Sequence, residues 1–160
     1  MAGIWTLGDI AGRFMLRHSA NLEAQHVVHN LLHPDNRQPV DYHAMPHAVF
    51  GSPQVAAVGM TEEEAKQRGR PYAIGRADYF DTTYGESLDE RDGFVKVIAD
   101  AESHEILGCQ VIGPDAAILV QEGANAMRQR QTTEAITRAI YVHPALQEVV
   151  KDAFASIRWP

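Results

Sequence analysis

Two runs rich in valine and isoleucine, 94–99 and 106–112, are separated only by the polar stretch 100–105. A link this short joins antiparallel neighbours, because a parallel pair needs a crossover of a dozen residues or more. The pattern predicts a β-hairpin at the centre of the chain. Short apolar runs at 47–50 and 54–58 flank Gly51-Ser52-Pro53, and residues 72–80 read as a further strand. Between them, Thr61-Glu62-Glu63-Glu64 has the form of a capping box, opening a short helix that ends near Gly69.

Helical spacing dominates the C-terminal third. Pro114 opens a helix over 115–129, kept thin by Gly123, Ala124 and Ala126 so that another element can approach closely. Thr132 or Thr133 caps a further short turn. Leu146, Val149, Val150, Ala153, Phe154 and Ile157 then follow the i, i+3, i+4, i+7 rule of a helix with one apolar face, with Pro144 suited to its first position. The expected fold class is α+β, a mainly antiparallel sheet with helices packed on it.

The N-terminal part reads differently. Residues 3–8 resemble a short buried strand ending on Gly8 and Asp9. Residues 19–32 form a predicted helix with apolar positions Leu22, Val27, Val28, Leu31 and Leu32, stopped by Pro34. The polar, proline-containing stretch 33–46 is a linker.

At 160 residues the chain is long enough for one domain with a real core. A net charge of −7 with no basic block argues against nucleic acid and against an anionic membrane surface. No apolar run approaches the roughly 20 residues needed to span a bilayer, and the N-terminus has no signal-peptide pattern. The expected compartment is the cytoplasm. The single cysteine, Cys109, excludes an internal disulfide framework and any cysteine-rich zinc site; a small buried side chain is its expected role.

The chemistry centres on His143-Pro144-Ala145-Leu146-Gln147-Glu148. A residue before proline is pushed out of the α region, so His143 should sit extended, ahead of the helix. Glu148, five residues on, lies on the polar face within reach of the imidazole. A carboxylate there would orient the ring for general acid–base work near neutral pH. From spacing alone, the alternative is a histidine at a helix start with Glu148 simply solvated.

Further motifs stand in register with this element. Pro53, Gln54, Val55, Ala56, Val58, Gly59, Thr61 and Glu62 form one, and Gly93–Lys96 followed by Ile106–Gly108 another. Ile-Trp-Thr-Leu-Gly-Asp at 4–9 precedes Leu16, Arg17, His18 and Ala20. Together with His143, Pro144, Ala145 and Glu148 they make the chain resemble the pyridine nucleotide-disulfide oxidoreductases. These include glutathione, mycothione and mercuric reductases and dihydrolipoyl dehydrogenase. Residues 16–21 and 141–146 lean towards mycothione reductase.

The resemblance implies the reductase dimerisation-domain fold over 47–160, with 1–32 the C-terminal remnant of an FAD-binding domain and 33–46 the linker. It implies a homodimer in which His143, paired with Glu148, enters the partner subunit's active site and serves as acid–base group towards a disulfide substrate. It implies FAD and NAD(P)H as cofactors of the full-length enzyme, with Gly8, Asp9, His18 and Ala20 as cofactor-binding residues. The FAD- and NAD(P)-binding domains, their glycine fingerprints and the redox cysteine pair are absent from this chain, so it is expected to bind no cofactor and to be inactive alone. Two origins fit: a domain cut from a full reductase and begun with an added Met-Ala, or a truncated or split gene product. A free-standing protein–protein assembly module with vestigial catalytic residues is the alternative function, and a small His/Glu hydrolase or metal-binding domain a third.

His26, His29 and His33 fall on one predicted helical face, but no carboxylate or cysteine joins them in register, so no metal is assigned. Asp89-Glu90-Arg91-Asp92 reads as a solvated turn. Asp78–Gly85, with Tyr79, Phe80 and Tyr84, reads as an interdomain packing segment.

Overall fold

A computed structural model describes residues 3–160; Met1 and Ala2 lie outside the described residues. The chain divides into two compact units, with the boundary between Tyr42 and His43.

The larger unit is built on a five-stranded sheet. Its strands are β1 (His47–Val49), β2 (Val55–Gly59), β3 (Tyr72–Asp78), β4 (Phe94–Asp100) and β5 (Ile106–Ile112), in the order β1-β2-β5-β4-β3. Every pairing is antiparallel. The central hairpin forms as its sequence requires, with Val95 opposite Val111 and Val97 opposite Cys109. Its turn is organised by Asp100, whose buried carboxylate accepts the Ser103 and Glu102 backbone N–H groups at 3.0 and 3.1 Å. An ion pair to Arg70 at 3.2 Å completes it.

Alternation along the strands sends Val95, Val97, Cys109 and Val111 to one face. There they meet α4 (Ala116–Arg128) and α6 (Glu148–Ala155). Full burial of each such valine contributes about 1.5–3 kcal/mol, so this interlayer is the main source of stability. Two glycines set how closely the layers approach. A Cβ on Gly123 of α4 would lie 2.9 Å from the Cys109 Cβ, and one on Gly75 of β3 would strike the Ala153 carbonyl of α6. On the opposite face, α2 (Glu62–Gln67) covers a smaller cluster through Ala65 against Ile98 and Leu107. Its capping box is complete: the Thr61 hydroxyl accepts the Glu64 N–H, and the Glu64 carboxylate accepts the Thr61 N–H at 2.8 Å.

Four expectations need correction in this unit. The strand expected over 72–80 ends at Asp78, and Tyr79 enters a 3-10 turn followed by α3 (Thr83–Ser87). Tyr79 does not pack between domains. It is fully buried within this unit, donates to the Pro114 carbonyl at 3.0 Å and lies against Gly93 and Gly113. The last helix begins at Glu148, not at Pro144. The peptide between His143 and Pro144 is cis, and residues 145–150 first turn through three bonds of i→i+3 type. The short α5 (Glu134–Thr137) follows Thr133, but neither threonine caps it through its side chain: Thr133 makes no such bond, and the Thr132 hydroxyl donates to the Glu134 carboxylate instead of accepting a backbone N–H.

The smaller unit departs further from its pattern. Residues 3–8 form no strand; a 3-10 turn spans Gly8–Ala11 instead. A strand needs a ladder partner for its backbone groups, and none pairs there among the described residues. The helix α1 runs Arg17–Leu32, but its buried positions are Ser19, Glu23 and Asn30, while Val28, Leu31 and Leu32 are exposed. Polar side chains face inward because they anchor loop backbone. Glu23 accepts the Gly8 N–H at 2.5 Å and the Tyr42 hydroxyl at 2.9 Å, and Asn30 makes two bonds with Gln38.

Candidate active site

The segment 138–147 leaves α5 and turns into α6, and it carries His143. Glu148 is the first residue of α6, where the positive end of the helix dipole favours a carboxylate. From that position its side chain reaches back along the chain. Oε1 lies 2.9 Å and Oε2 3.1 Å from His143 Nδ1, and Oε2 accepts the Ala145 N–H at 2.9 Å. The Ala145 N–H and then the His143 bond hold the Glu148 carboxyl below the usual carboxylate range.

This arrangement fixes one end of the imidazole. An ionised carboxylate only accepts, so the bond to Glu148 calls for the proton on Nδ1 and leaves Nε2 as the ring nitrogen outside the pair. The His143 side chain is 64 % exposed, whereas that of Glu148 is 20 % exposed. The sequence-derived pairing of the two is therefore present, but by a first-turn carboxylate folding back over a tight turn.

The neighbouring residues are polarised by direction. Ile140 and Val142 are exposed, at 101 % and 69 %, while Tyr141 between them turns inward. The Tyr141 hydroxyl donates to Glu122 of α4, and Lys151 of α6 lies 5.4 Å from the Tyr141 ring centroid. Burial raises the Glu122 carboxyl, and burial followed by the Glu122 bond raises the Tyr141 phenol. Neither residue was a sequence-derived candidate. The available signal was an acidic residue beside the small, buried Gly123 and Ala124 of a helix otherwise devoted to packing.

The one thiol of the chain takes no part in this group. Cys109 is fully buried beneath α4, and burial and then Glu122 push its pKa up to about 12.

In the smaller unit, Gly8 holds φ +69, which favours glycine, and a Cβ there would stand 3.5 Å from the Ala20 Cβ. Asp9 is the next residue of the 3-10 turn and is exposed; His18 lies exposed in the first turn of α1. Gly8 and Ala20 are thus neighbours. His26 and His29 of α1 and His33 just past its end are occupied with carbonyls: His26 Nδ1 with Leu22, His29 Nε2 with Asn36 and His33 Nδ1 with His29. No group of three metal-binding side chains lies together among the described residues. Among those residues, too, no helix is long and apolar enough to cross a membrane.

The all-antiparallel sheet with helices packed on it, and an exposed His–carboxylate pair on the approach to the last helix, make this an α+β domain. The family model for the pyridine nucleotide-disulphide oxidoreductase dimerisation domain matches residues 45–154, and the chain belongs to that family. It is 38 % identical over 161 residues to mycothione reductase of Mycobacterium tuberculosis, covering 98 % of this chain and 35 % of that protein. It is 36 % identical over 153 residues to dihydrolipoyl dehydrogenase of Corynebacterium glutamicum, covering 94 % and 33 % respectively. The chain therefore spans about a third of the length of these relatives. The fold agrees with the crystal structure of LpdA from Mycobacterium tuberculosis at a TM-score of 0.86 and 22 % identity, covering 96 % of this chain and 33 % of that one.

Proposed function

We propose that this chain is the dimerisation domain of an FAD-dependent NAD(P)H:disulfide oxidoreductase, and that it delivers His143, oriented by Glu148, to the thiol–disulfide centre of the partner subunit. The observation that carries this reading is an outward histidine with one nitrogen fixed by a carboxylate, flanked by exposed Ile140 and Val142. Exposed apolar side chains beside a poised base are what a subunit contact would cover. The only thiol of the chain is buried, so the sulfur chemistry lies on another polypeptide surface.

The role of His143 follows from thiol–disulfide exchange. A thiolate attacks one sulfur of the substrate disulfide, a new S–S bond forms, and the old one breaks. The departing sulfur carries away the electron pair as a thiolate, and a proton from Nε2 makes it a neutral thiol. In the reverse direction neutral Nε2 takes the proton from the attacking thiol. Glu148 keeps Nδ1 protonated throughout and stabilises the imidazolium.

In the smaller unit, whose residues 1–32 we assign to the end of an FAD-binding domain, the residues present suit the cofactor. Asp9 offers an exposed carboxylate to a hydroxyl donor, while Gly8 and Ala20 are small and adjacent. With His18 they would hold FAD. When bound, the flavin supplies the two-electron relay between NAD(P)H and a disulfide. Residues 33–46 link this part to the dimerisation domain at 47–160. The assembly is a cytoplasmic homodimer, its remaining FAD- and NAD(P)-binding parts lie outside these residues, and mycothione is the first disulfide to test.

The test is kinetic. In the reductase assembled from this domain and its FAD- and NAD(P)-binding domains, His143→Gln should lower disulfide turnover by about 10²–10⁴-fold, the usual worth of general acid–base catalysis. Turnover equal to wild type would overturn the assignment. The 160-residue chain by itself should show no NADPH-dependent disulfide reduction, and robust turnover would contradict that part.

A further inference from the structure

The segment bearing His143 has almost no backbone support. Between the end of α5 and the turn before α6, residues 140–144 make no backbone–backbone hydrogen bond among the described residues. From Arg138 to Pro144, every residue except Tyr141 is exposed. A strip of chain without a ladder or a helix is held only by its side chains, and here two do so: His143 through Glu148, and Tyr141 through Glu122.

The two attachments lead to different helices. Glu122 stands in α4, behind the sheet face that also buries Cys109, and is half-buried beside buried Gly123. Glu148 opens α6, and Lys151, one turn later on that helix, faces the Tyr141 ring. We infer that the Glu122–Tyr141 pair is a positioning device for His143: it pins the otherwise unsupported strip to α4, so that the imidazole stays within reach of Glu148. The inference rests on the reading of His143 as the acid–base group, but its geometric content is independent of catalysis.

The alternation of the strip explains why a peg is needed. Ile140, Val142 and His143 are all exposed, and of the three only His143 is tied to the domain, through Glu148. Tyr141 alone turns inward. A phenylalanine would keep the ring and its contact with Lys151 but lose the polar anchor to α4. A glutamine at 122 would still accept from the phenol, whereas an alanine would not.

The test uses the 160-residue chain and long-range ¹H–¹⁵N spectra of the histidine side chains. Wild type should show His143 held as the single tautomer protonated on Nδ1. Tyr141→Phe and Glu122→Ala should remain folded and lose that signature, giving the averaged ring signals of a free histidine. Glu122→Gln should retain it. A contact serving stability alone would lower Tm in these variants without moving the tautomer pattern. Folded Tyr141→Phe and Glu122→Ala chains with unchanged His143 signals would overturn the inference. Should Tyr141→Phe not fold, the contrast between Glu122→Ala and Glu122→Gln decides. The outcome is separable from the catalytic reading, since a mobilised His143 with full turnover after His143→Gln would refute catalysis and leave the positioning intact.

Discussion

The carboxylate of Glu148 stands 2.9 Å from Nδ1 of His143 while also accepting the Ala145 N–H, so one side chain both closes the turn and holds the imidazole. Because the backbone bond is the larger cause of the lowered Glu148 pKa, removing the histidine should undo only part of it. Carboxyl ¹³C titration of His143→Ala should place Glu148 above its wild-type midpoint yet still below an ordinary glutamate. A midpoint that does not move would show that the two groups are uncoupled in solution.

Asp100 provides the clearest pH-linked stability in the fold. Its carboxyl is lowered first by the Ser103 N–H, with Glu102 and Arg70 adding to the effect against burial. A depressed carboxyl contributes stability that is fully present above its unfolded pKa and is lost as pH falls through the folded value. Asp100→Ala should therefore cost about 1–3 kcal/mol at neutral pH, since it removes the charged acceptor that closes the hairpin turn and pairs with Arg70. The gap from wild type should narrow in acid. Urea denaturation at neutral and acidic pH measures both, and a gap that stays constant across that range would contradict the account.

Gly123 marks where α4 comes closest to the sheet. A β-branched side chain there has no room above Cys109. Gly123→Val should destabilise by about 1–3 kcal/mol through overpacking, read as a lower midpoint in the same denaturation. An unchanged midpoint would mean that the helix rides higher over β5 than described.

Cys109 should be inert while the protein is folded. Burial pushes its pKa up to about 12, so thiolate is scarce at pH 8 and a reagent has no path to it. A chromogenic disulfide reagent should react stoichiometrically in denaturant and only at the opening rate in buffer. A fast reaction of the native chain would contradict this placement.

Much of the larger unit was legible from local rules. The hairpin, the Thr61–Glu64 capping box and the thin face at Gly123 each rest on interactions within a few residues or on strict alternation, and each appears where its pattern puts it. The His143–Glu148 pairing was legible in its partners but not in its route, because the position of the helix start depends on how the chain turns through Pro144–Gln147. Glu122 and Tyr141 are 19 residues apart, and only the packing of α4 beside the 138–147 segment brings them together. The N-terminal unit misled for a different reason. Helical periodicity reports which residues share a face, not whether that face is covered, and in α1 the covered face is the polar one.

The most direct test of the central claim is subunit complementation in the assembled reductase. One subunit carries His143→Gln with its redox cysteines intact; the other carries His143 with its redox cysteines replaced by serine. If His143 serves the partner subunit, the mixed dimer contains one complete centre and should recover about half of wild-type disulfide turnover, since one of two sites is whole. If the mixed dimer is as inactive as either parent homodimer, His143 does not act across the interface and the account is wrong.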